Sequence, residues 1–137
     1  MIVGFGFTKL SAEKNQNSKG KIEINNNVTI KSVEEADVPL GKEKQTALKI
    51  VFNFITKYSP DLGSISFEGE VIYMADSKKG KEIIASWKKD KKLPKDLMAP
   101  ILNTILTRCN IKALIISQDV NLPPPIPLPK VSLQAKE

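Results

Sequence analysis

The sequence has no histidine and a single cysteine, Cys109, among its 137 residues. Without histidine, neither Ser-His-Asp nor Cys-His catalysis is possible, and the commonest zinc ligand is missing. One cysteine cannot form an internal disulfide or a thiolate metal cage, and Cys109 lies in an apolar helical pattern where a buried side chain is expected. The sequence therefore predicts a protein that is not an enzyme and that needs no metal or cofactor.

Motifs for phosphate and calcium binding are also absent, since the sequence contains no GxxxxGK[ST], GxGxxG or DxDxDG pattern. No stretch approaches the roughly 20 apolar residues that cross a bilayer. The apolar start, 1–7, lacks the basic region and the cleavage site of a signal peptide. Hydrophobic residues make up 41% of the chain and charged residues 26%, as in an ordinary globular domain. We therefore expect one cytoplasmic domain over 1–137, without a membrane span.

Positive charge is concentrated in one segment. The formal net charge is +6, and the eight lysines and two acids between Ser77 and Lys95 account for all of it. Such a patch attracts an acidic partner, a nucleic-acid backbone or an anionic membrane, although a solvated helix face has the same pattern. Sequence-specific nucleic-acid binding is less expected, because the one nearby aromatic, Trp87, shares an apolar helix face with Ile83 and Ile84. The lysines assigned to this patch are Lys78, Lys79, Lys81, Lys88, Lys89, Lys91 and Lys92.

Four segments alternate between apolar and polar residues, which is typical of strands with one buried face. The predicted strands are 2–10, 22–30, 47–58 and 65–73. The turn Ser59–Gly63 contains proline and glycine and joins the last two strands into a hairpin. The segment Ser32–Lys44 fits neither the strand nor the helix period, and we expect a crossover loop there. The sheet would then occupy 2–76.

The spacing of apolar residues becomes helical after residue 76. Ser77 is the predicted N-cap of a short basic helix over 78–91, and a second helix opens between Pro94 and Asp96. Pro100 lies in the first two turns, where its missing N–H costs little. The two helices would occupy 77–117. The predicted core stripe of the second helix consists of Leu97, Met98, Ile101, Leu102, Ile105, Leu106 and Cys109.

The C-terminal segment, 118–137, holds five of the nine prolines. Repeated proline excludes a helix and a central strand, so we expect an extended arm. Its apolar side chains have three possible uses. They could dock on the protein's own core, present a proline motif to an aromatic groove of a partner, or form one wall of an apolar groove.

The order of these elements, together with two short motifs, resembles the SecB family of export chaperones. In SecB-family chains the long helix is followed by a segment of the type LNLAPVNF, which 120–126 (VNLPPPI) resembles at the Asn-Leu pair, a proline and the following aliphatic residue. The step at Pro100 within 97–101 (LMAPI) resembles the start of the family's long helix. The resemblance implies an α+β fold with a four-stranded antiparallel sheet, a short and a long helix packed on one face, and an extended Pro-rich C-terminal arm. It also implies a homo-oligomer, either a dimer or a tetramer.

SecB-family proteins hold unfolded polypeptides in apolar grooves without ATP, and the resemblance implies the same holdase role here, in protein export. It assigns the groove to the crossover loop, the short helix and the arm. SecB itself is acidic and docks on the motor SecA, whereas this chain is basic. The implied peptide-binding residues are Val33, Val38, Leu40, Ile83, Ile84, Trp87, Leu122, Ile126 and Leu128.

Two other functions stay open from the sequence. The chain could be a dedicated protein-interaction subunit that serves one partner, or a nucleic-acid-binding adaptor that uses the lysine patch. The lysines could also hold acidic client segments beside the apolar groove, which would combine two of these hypotheses.

Overall fold

The structure is a computed structural model, and it describes residues 1–15, 20–36 and 45–129. The chain forms four strands followed by two helices. All four strands join one antiparallel sheet in the order β1-β4-β3-β2. This arrangement confirms the predicted α+β fold and the hairpin of the third and fourth strands. The elements are β1 (Ile2–Lys14), β2 (Glu23–Glu35), β3 (Gln45–Ser59), β4 (Gly63–Asp76), α1 (Ser77–Asp90) and α2 (Lys95–Asp119).

The strand order places β1 and β2 at opposite edges of the sheet. Lys14, the last residue of β1, and Glu23, the first residue of β2, therefore lie on opposite edge strands, whereas β2 and β3 are neighbours. The prediction of a crossover loop beginning at Ser32 is wrong, because residues 32–35 continue β2 and pair with β3. A register shift between Ile30 and Ser32 breaks the alternation, so that the buried Val33 returns to the side of the helices.

Alternation along β3 builds the core. The even-numbered residues 48–58 face the helices and are buried, while the odd-numbered residues 49–55 lie half-buried on the open face. All five phenylalanines belong to this helix-side layer. Phe54 stacks on Phe67 with ring centroids 5.7 Å apart, and Phe5 stacks on Phe52 at 5.4 Å. These contacts place the chain's phenylalanines in structural roles.

The short helix α1 is capped one residue before the predicted position. The Asp76 carboxylate, not the Ser77 hydroxyl, accepts a hydrogen bond from the Lys79 N–H at 2.7 Å. The helix lies close on β3, since a Cβ added to Gly80 would lie 2.9 Å from the Cβ of Thr46. Its buried face, which includes Ile83 and Trp87, therefore turns toward the sheet.

The long helix α2 extends beyond the predicted end of the helical part, to Asp119. Its buried residues recur at every fourth position, so one narrow stripe contacts the sheet. The half-buried Met98, Leu102 and Leu106 flank that stripe. The predicted core stripe is thus confirmed in part, with its middle fully buried and its flank only partly so. The buried positions of α2 are Leu97, Ile101, Ile105, Cys109, Ala113 and Ser117.

Apolar residues also occupy the faces of α2 that the sheet does not cover. Ile111 and Ile115 are 55% and 52% exposed. By length and composition, α2 could cross a membrane, contrary to the expectation from the sequence. The core helix of a globular protein can have the same length and composition, and one stripe of α2 already packs on the sheet. We therefore treat α2 as a core helix with a second apolar face.

Candidate functional site

The helix-facing side of β2 is only partly covered. Ile24, Val28 and Ile30 are half-buried, whereas the corresponding side chains of the neighbouring β3 are fully buried. Because β2 is an edge strand, no further strand lies beyond it within the described chain. From Ile24 to Ile30 the strand covers about 20 Å at roughly 3.3 Å per residue. We call this partly open apolar surface and the two pockets that border it the β2 groove.

One end of the β2 groove is a cavity of about 270 Å³ between β2 and the corner where α1 meets α2. The corner has a fixed geometry. Lys91 adopts a left-handed conformation with φ 56°, and its N–H donates to the Trp87 carbonyl at 2.8 Å. The Ser86 hydroxyl donates to the Lys92 carbonyl at 2.9 Å, and Leu93 is buried in the core. We call this cavity the Trp87 pocket, and it is lined by Val28, Thr29, Ile30, Trp87, Lys91, Lys92, Leu93, Met98 and Leu102.

The other end is a cavity of about 550 Å³ beneath the proline-rich arm. Two side chains of the sheet hold the arm by its carbonyl groups. The Tyr58 hydroxyl donates to the Pro123 carbonyl at 2.6 Å, and the Asn26 amide donates to the Pro125 carbonyl at 3.2 Å. Proline has no N–H, so 123–125 cannot donate backbone hydrogen bonds to the free edge of β2. We call this cavity the proline pocket, and it is lined by Ile24, Asn26, Pro123, Pro124, Pro125, Ile126 and Pro127.

The arm begins as part of the core. The Leu122 N–H donates to the Ser117 carbonyl at 2.8 Å, and the Leu122 side chain is only 6% exposed. Burial raises the pKa of the Tyr58 phenol to about 12, so the hydroxyl stays protonated and able to donate. Of the three uses predicted for the arm, the structure shows docking on the protein's own core at Leu122 and the wall of a pocket at 123–127.

The implied peptide-binding residues lie in different environments. Trp87 lines the Trp87 pocket, Ile126 lines the proline pocket, and Leu128 is 43% exposed near the end of the arm. Ile84 is half-buried against the core. Val33, Ile83 and Leu122 are buried in the hydrophobic core, as is Trp87 apart from the edge that it presents to its pocket. Val38 and Leu40 lie outside the described residues.

Several groove residues were missed by reasoning from the sequence. Strand alternation had already placed Ile24, Val28 and Ile30 on one face, and helical spacing had placed Met98 and Leu102 near the core stripe. What the pattern could not show was that β2 lies at the edge of the sheet, where that face is left partly open. The strand order supplies this information.

The lysine patch is not uniform in the structure. Lys79 forms ion pairs with Asp96 at 3.1 Å and with Glu82 at 3.8 Å. The hydrogen bond with Asp96 raises the pKa of Lys79 and lowers the pKa of Asp96. Lys79 therefore connects α1 to the first turn of α2. The exposed members of the patch are Lys78, Lys81, Lys88, Lys89, Lys91 and Lys92.

Two of the exposed lysines border the β2 groove. Lys91 and Lys92 line the Trp87 pocket, and the Lys91 ammonium lies 5.8 Å from the centroid of the Trp87 ring. Trp87 itself is only 8% exposed, so its ring forms a wall and offers no open face on which a base could stack. The structure thus joins part of the lysine patch to the apolar groove.

The sole cysteine lies in the core, away from the β2 groove. Burial raises the pKa of the Cys109 thiol to about 12, which disfavours the nucleophilic thiolate. Within residues 1–15, 20–36 and 45–129, no three acidic or cysteine side chains come together as metal ligands. The open face of the sheet carries a polar depression that includes Lys9, Asn53 and Glu68.

A four-stranded antiparallel sheet, two helices on one face and an apolar groove at an edge strand define the architecture of this α+β protein. No protein-family model matches the sequence, and no curated protein sequence matches it. Among solved structures, the chain is similar to the SecB-like chaperone Rv1957 of Mycobacterium tuberculosis, which was solved in complex with a ChAD peptide from the Rv1956 HigA1 antitoxin. The two share 11% identity with a TM-score of 0.54, over 96% of this chain and 90% of that chain. The chain has a SecB-like chaperone fold, as the sequence predicted.

Proposed function

We propose that this protein is an ATP-independent holdase that binds extended segments of non-native polypeptides in the β2 groove. The observation that carries the proposal is the half-buried apolar surface of Ile24, Val28 and Ile30 on an edge strand of a SecB-like fold. A surface of about 20 Å accommodates roughly six extended residues. Peptide binding by the similar chaperone supports this use of the fold.

A holdase needs exposed apolar surface and no reacting group. Binding several short apolar stretches of one client, each weakly, gives a useful total affinity when the binding sites are linked. We therefore infer that the protein works without catalysis, metal or cofactor, and that it does so as a single domain, 1–137, in the cytoplasm. The role in protein export stays a prediction from the resemblance.

Association with other copies would supply linked sites. The apolar face of α2 that includes Ile111 and Ile115 supports a homo-oligomer, since exposed apolar patches of this kind mark contact surfaces. Replacing both isoleucines with lysine should lower the molar mass measured by light scattering to that of a smaller species. An unchanged molar mass would contradict the use of this face, and a monomeric wild-type protein would contradict oligomerisation.

Aggregation of a denatured model client tests the holdase proposal. We expect the wild-type protein to suppress light scattering, and the double variant Met98→Gln, Leu102→Gln to suppress it much less, because two walls of the Trp87 pocket become polar. The matched control is Val51→Gln, Ile55→Gln, which alters half-buried apolar residues on the open face of the sheet. Suppression that is equal in all three proteins, or absent from the wild type, would contradict the proposal.

A dedicated partner is the second candidate, because the similar chaperone was solved with a peptide from one antitoxin. Unrelated denatured clients distinguish the two functions. A holdase suppresses the aggregation of several clients at similar ratios, whereas a dedicated subunit suppresses none of them and binds one protein at fixed stoichiometry.

A further inference from the structure

Resting on the proposed function, we propose that the β2 groove selects extended client segments in which acidic residues adjoin apolar ones, with Lys91 and Lys92 as the residues that determine this preference. The proposal concerns which polypeptides are held, and it adds a charge requirement to the apolar one. It depends on where the lysines lie relative to the groove.

The Trp87 pocket combines apolar walls with a basic rim. Val28, Ile30 and Leu102 supply apolar surface, while Lys91 and Lys92 are exposed at the same cavity. None of the described residues that line this pocket, or the proline pocket next to it, is acidic. A carboxylate on a bound segment would therefore meet positive charge without meeting a competing carboxylate of the groove.

The charge of these lysines is not neutralised by neighbours in the described chain. Lys79 forms ion pairs with Asp96 and Glu82. None of the ion pairs among the described residues includes Lys91 or Lys92. Lys88 and Lys89, in the last turn of α1, are also exposed and add to the positive field. Asp90 is the acidic residue within 88–92, which leaves this segment with a net charge of +3.

The corner holds the basic rim in place. The left-handed conformation of Lys91, its N–H bond to the Trp87 carbonyl and the bond from the Ser86 hydroxyl to the Lys92 carbonyl fix the backbone that carries both side chains. The ammonium groups themselves sit on flexible stems and attract carboxylates as point charges, without the fixed fork that arginine would impose. This combination suits clients whose acidic residues vary in position beside an apolar stretch.

Trp87 allows a direct measurement, because it is the sole tryptophan of the sequence and it lines the pocket. We would titrate the full-length protein with three tryptophan-free peptides of about nine residues, which is longer than the roughly six extended residues that the apolar surface of β2 accommodates and leaves flanking residues to reach the pockets. The peptides share their leucine and phenylalanine positions and differ at two sites, which are glutamate, glutamine or lysine. At low salt we expect the glutamate peptide to bind about five- to ten-fold more tightly than the glutamine peptide, and the lysine peptide to bind most weakly.

Salt concentration and lysine substitutions show whether the affinity difference between the glutamate and glutamine peptides comes from Lys91 and Lys92. Raising the ionic strength from about 0.05 to about 0.5 M should reduce the preference to less than about two-fold, while binding of the glutamine peptide persists. The variant Lys91→Gln, Lys92→Gln should bind the glutamate and glutamine peptides equally, and Lys91→Arg, Lys92→Arg should keep the preference. The charge-matched control Lys9→Gln, Lys57→Gln changes two lysines on strands away from the corner and should behave as the wild type.

The outcomes separate this inference from the proposed function. If all three peptides bind the wild type equally, the charge preference is wrong and peptide binding stands. If none of them binds, the proposed function fails. A single-stranded oligonucleotide could also displace the glutamate peptide and bind more tightly than that peptide does. This result would assign the lysines to nucleic acid and overturn the inference.

Discussion

The two ends of the β2 groove are built differently. At the proline pocket, polar side chains of the sheet engage backbone carbonyls of the arm, and the arm begins at a buried leucine. At the Trp87 pocket, apolar side chains surround a cavity whose rim carries exposed lysines. The first end therefore has its polar groups paired within the protein, whereas the second leaves its charges available to a ligand. On the proposed function, we therefore expect the proline pocket to act mainly as a fixed wall and the Trp87 pocket to determine which segments are bound.

The largest expected effect concerns the attachment of the arm. Leu122→Ala should lower the free energy of unfolding by about 2 to 5 kcal/mol, because it leaves a cavity in the core. Urea denaturation measures this change. Leu128→Ala is the control, since the exposed Leu128 should contribute no more than about 0.5 kcal/mol. A loss below about 1 kcal/mol for Leu122→Ala would mean that the arm is not a fixed wall.

Alkaline pH should weaken the attachment of the arm at the proline pocket. Because burial raises the pKa of Tyr58 to about 12, above the ordinary phenol value of about 10, folding favours the neutral phenol. The raised pKa of Tyr58 contributes about 2 to 3 kcal/mol to the free energy of unfolding. This contribution is complete below about pH 10 and is lost as the pH rises through about 12.

Urea denaturation of the wild type and of Tyr58→Phe between pH 9 and 12 isolates this contribution, because both proteins carry the same lysines. The stability difference between them should shift in favour of the phenylalanine variant as the pH rises. A difference that does not change with pH would contradict the burial of the Tyr58 hydroxyl as a donor to Pro123.

A smaller effect is expected at the corner of the Trp87 pocket. Ser86→Ala removes the hydrogen bond to the Lys92 carbonyl and should lower the free energy of unfolding by about 0.5 to 1.5 kcal/mol. If the corner positions the basic rim, the variant should also lose part of its preference for the glutamate peptide over the glutamine peptide. If Ser86→Ala keeps the full preference for the glutamate peptide, the basic rim does not depend on the hydrogen bond that fixes the backbone at Lys92.

The smallest effect is expected for the ion pair between the two helices. Lys79→Gln removes the ion pair with Asp96 and should lower the free energy of unfolding only slightly, and at low salt, because solvent screens such a pair. Thermal unfolding at two salt concentrations should show that the stability difference between the wild type and Lys79→Gln becomes smaller as the salt concentration is raised. Peptide binding should not change, because Lys79 does not line the Trp87 pocket. A peptide affinity that falls with this variant would extend the recognition surface along α1.

Much of the fold could be predicted from the sequence, because local periodicity survives where an element is regular. β3 alternates without a break, and its even-numbered residues are buried as the pattern indicates. In β2 the pattern failed after Ile30, since a register shift inserts one residue and reverses the alternation. The N-cap was also misplaced by one residue, because Asp76 and Ser77 both have side chains that can cap a helix.

The candidate site was harder to predict than the fold. Of the predicted residues, Trp87 and Ile126 line the two pockets, whereas Val33, Ile83 and Leu122 lie in the core and line neither pocket. An apolar residue in a core and one in a groove have the same local pattern, and they differ only in what covers them. That depends on strand order and on contacts between distant parts of the chain, such as the bond from Tyr58 to Pro123.

Photo-crosslinking tests the central claim most directly. A glutamate-containing apolar peptide that carries a photoreactive phenylalanine analogue would be irradiated with the full-length protein, and the adducts would be located by mass spectrometry. We expect adducts on β2 between Ile24 and Ile30 and on the corner that carries Trp87. Adducts confined to the exposed face of α2 near Ile111 and Ile115, or to the open face of the sheet, would contradict peptide binding in the β2 groove.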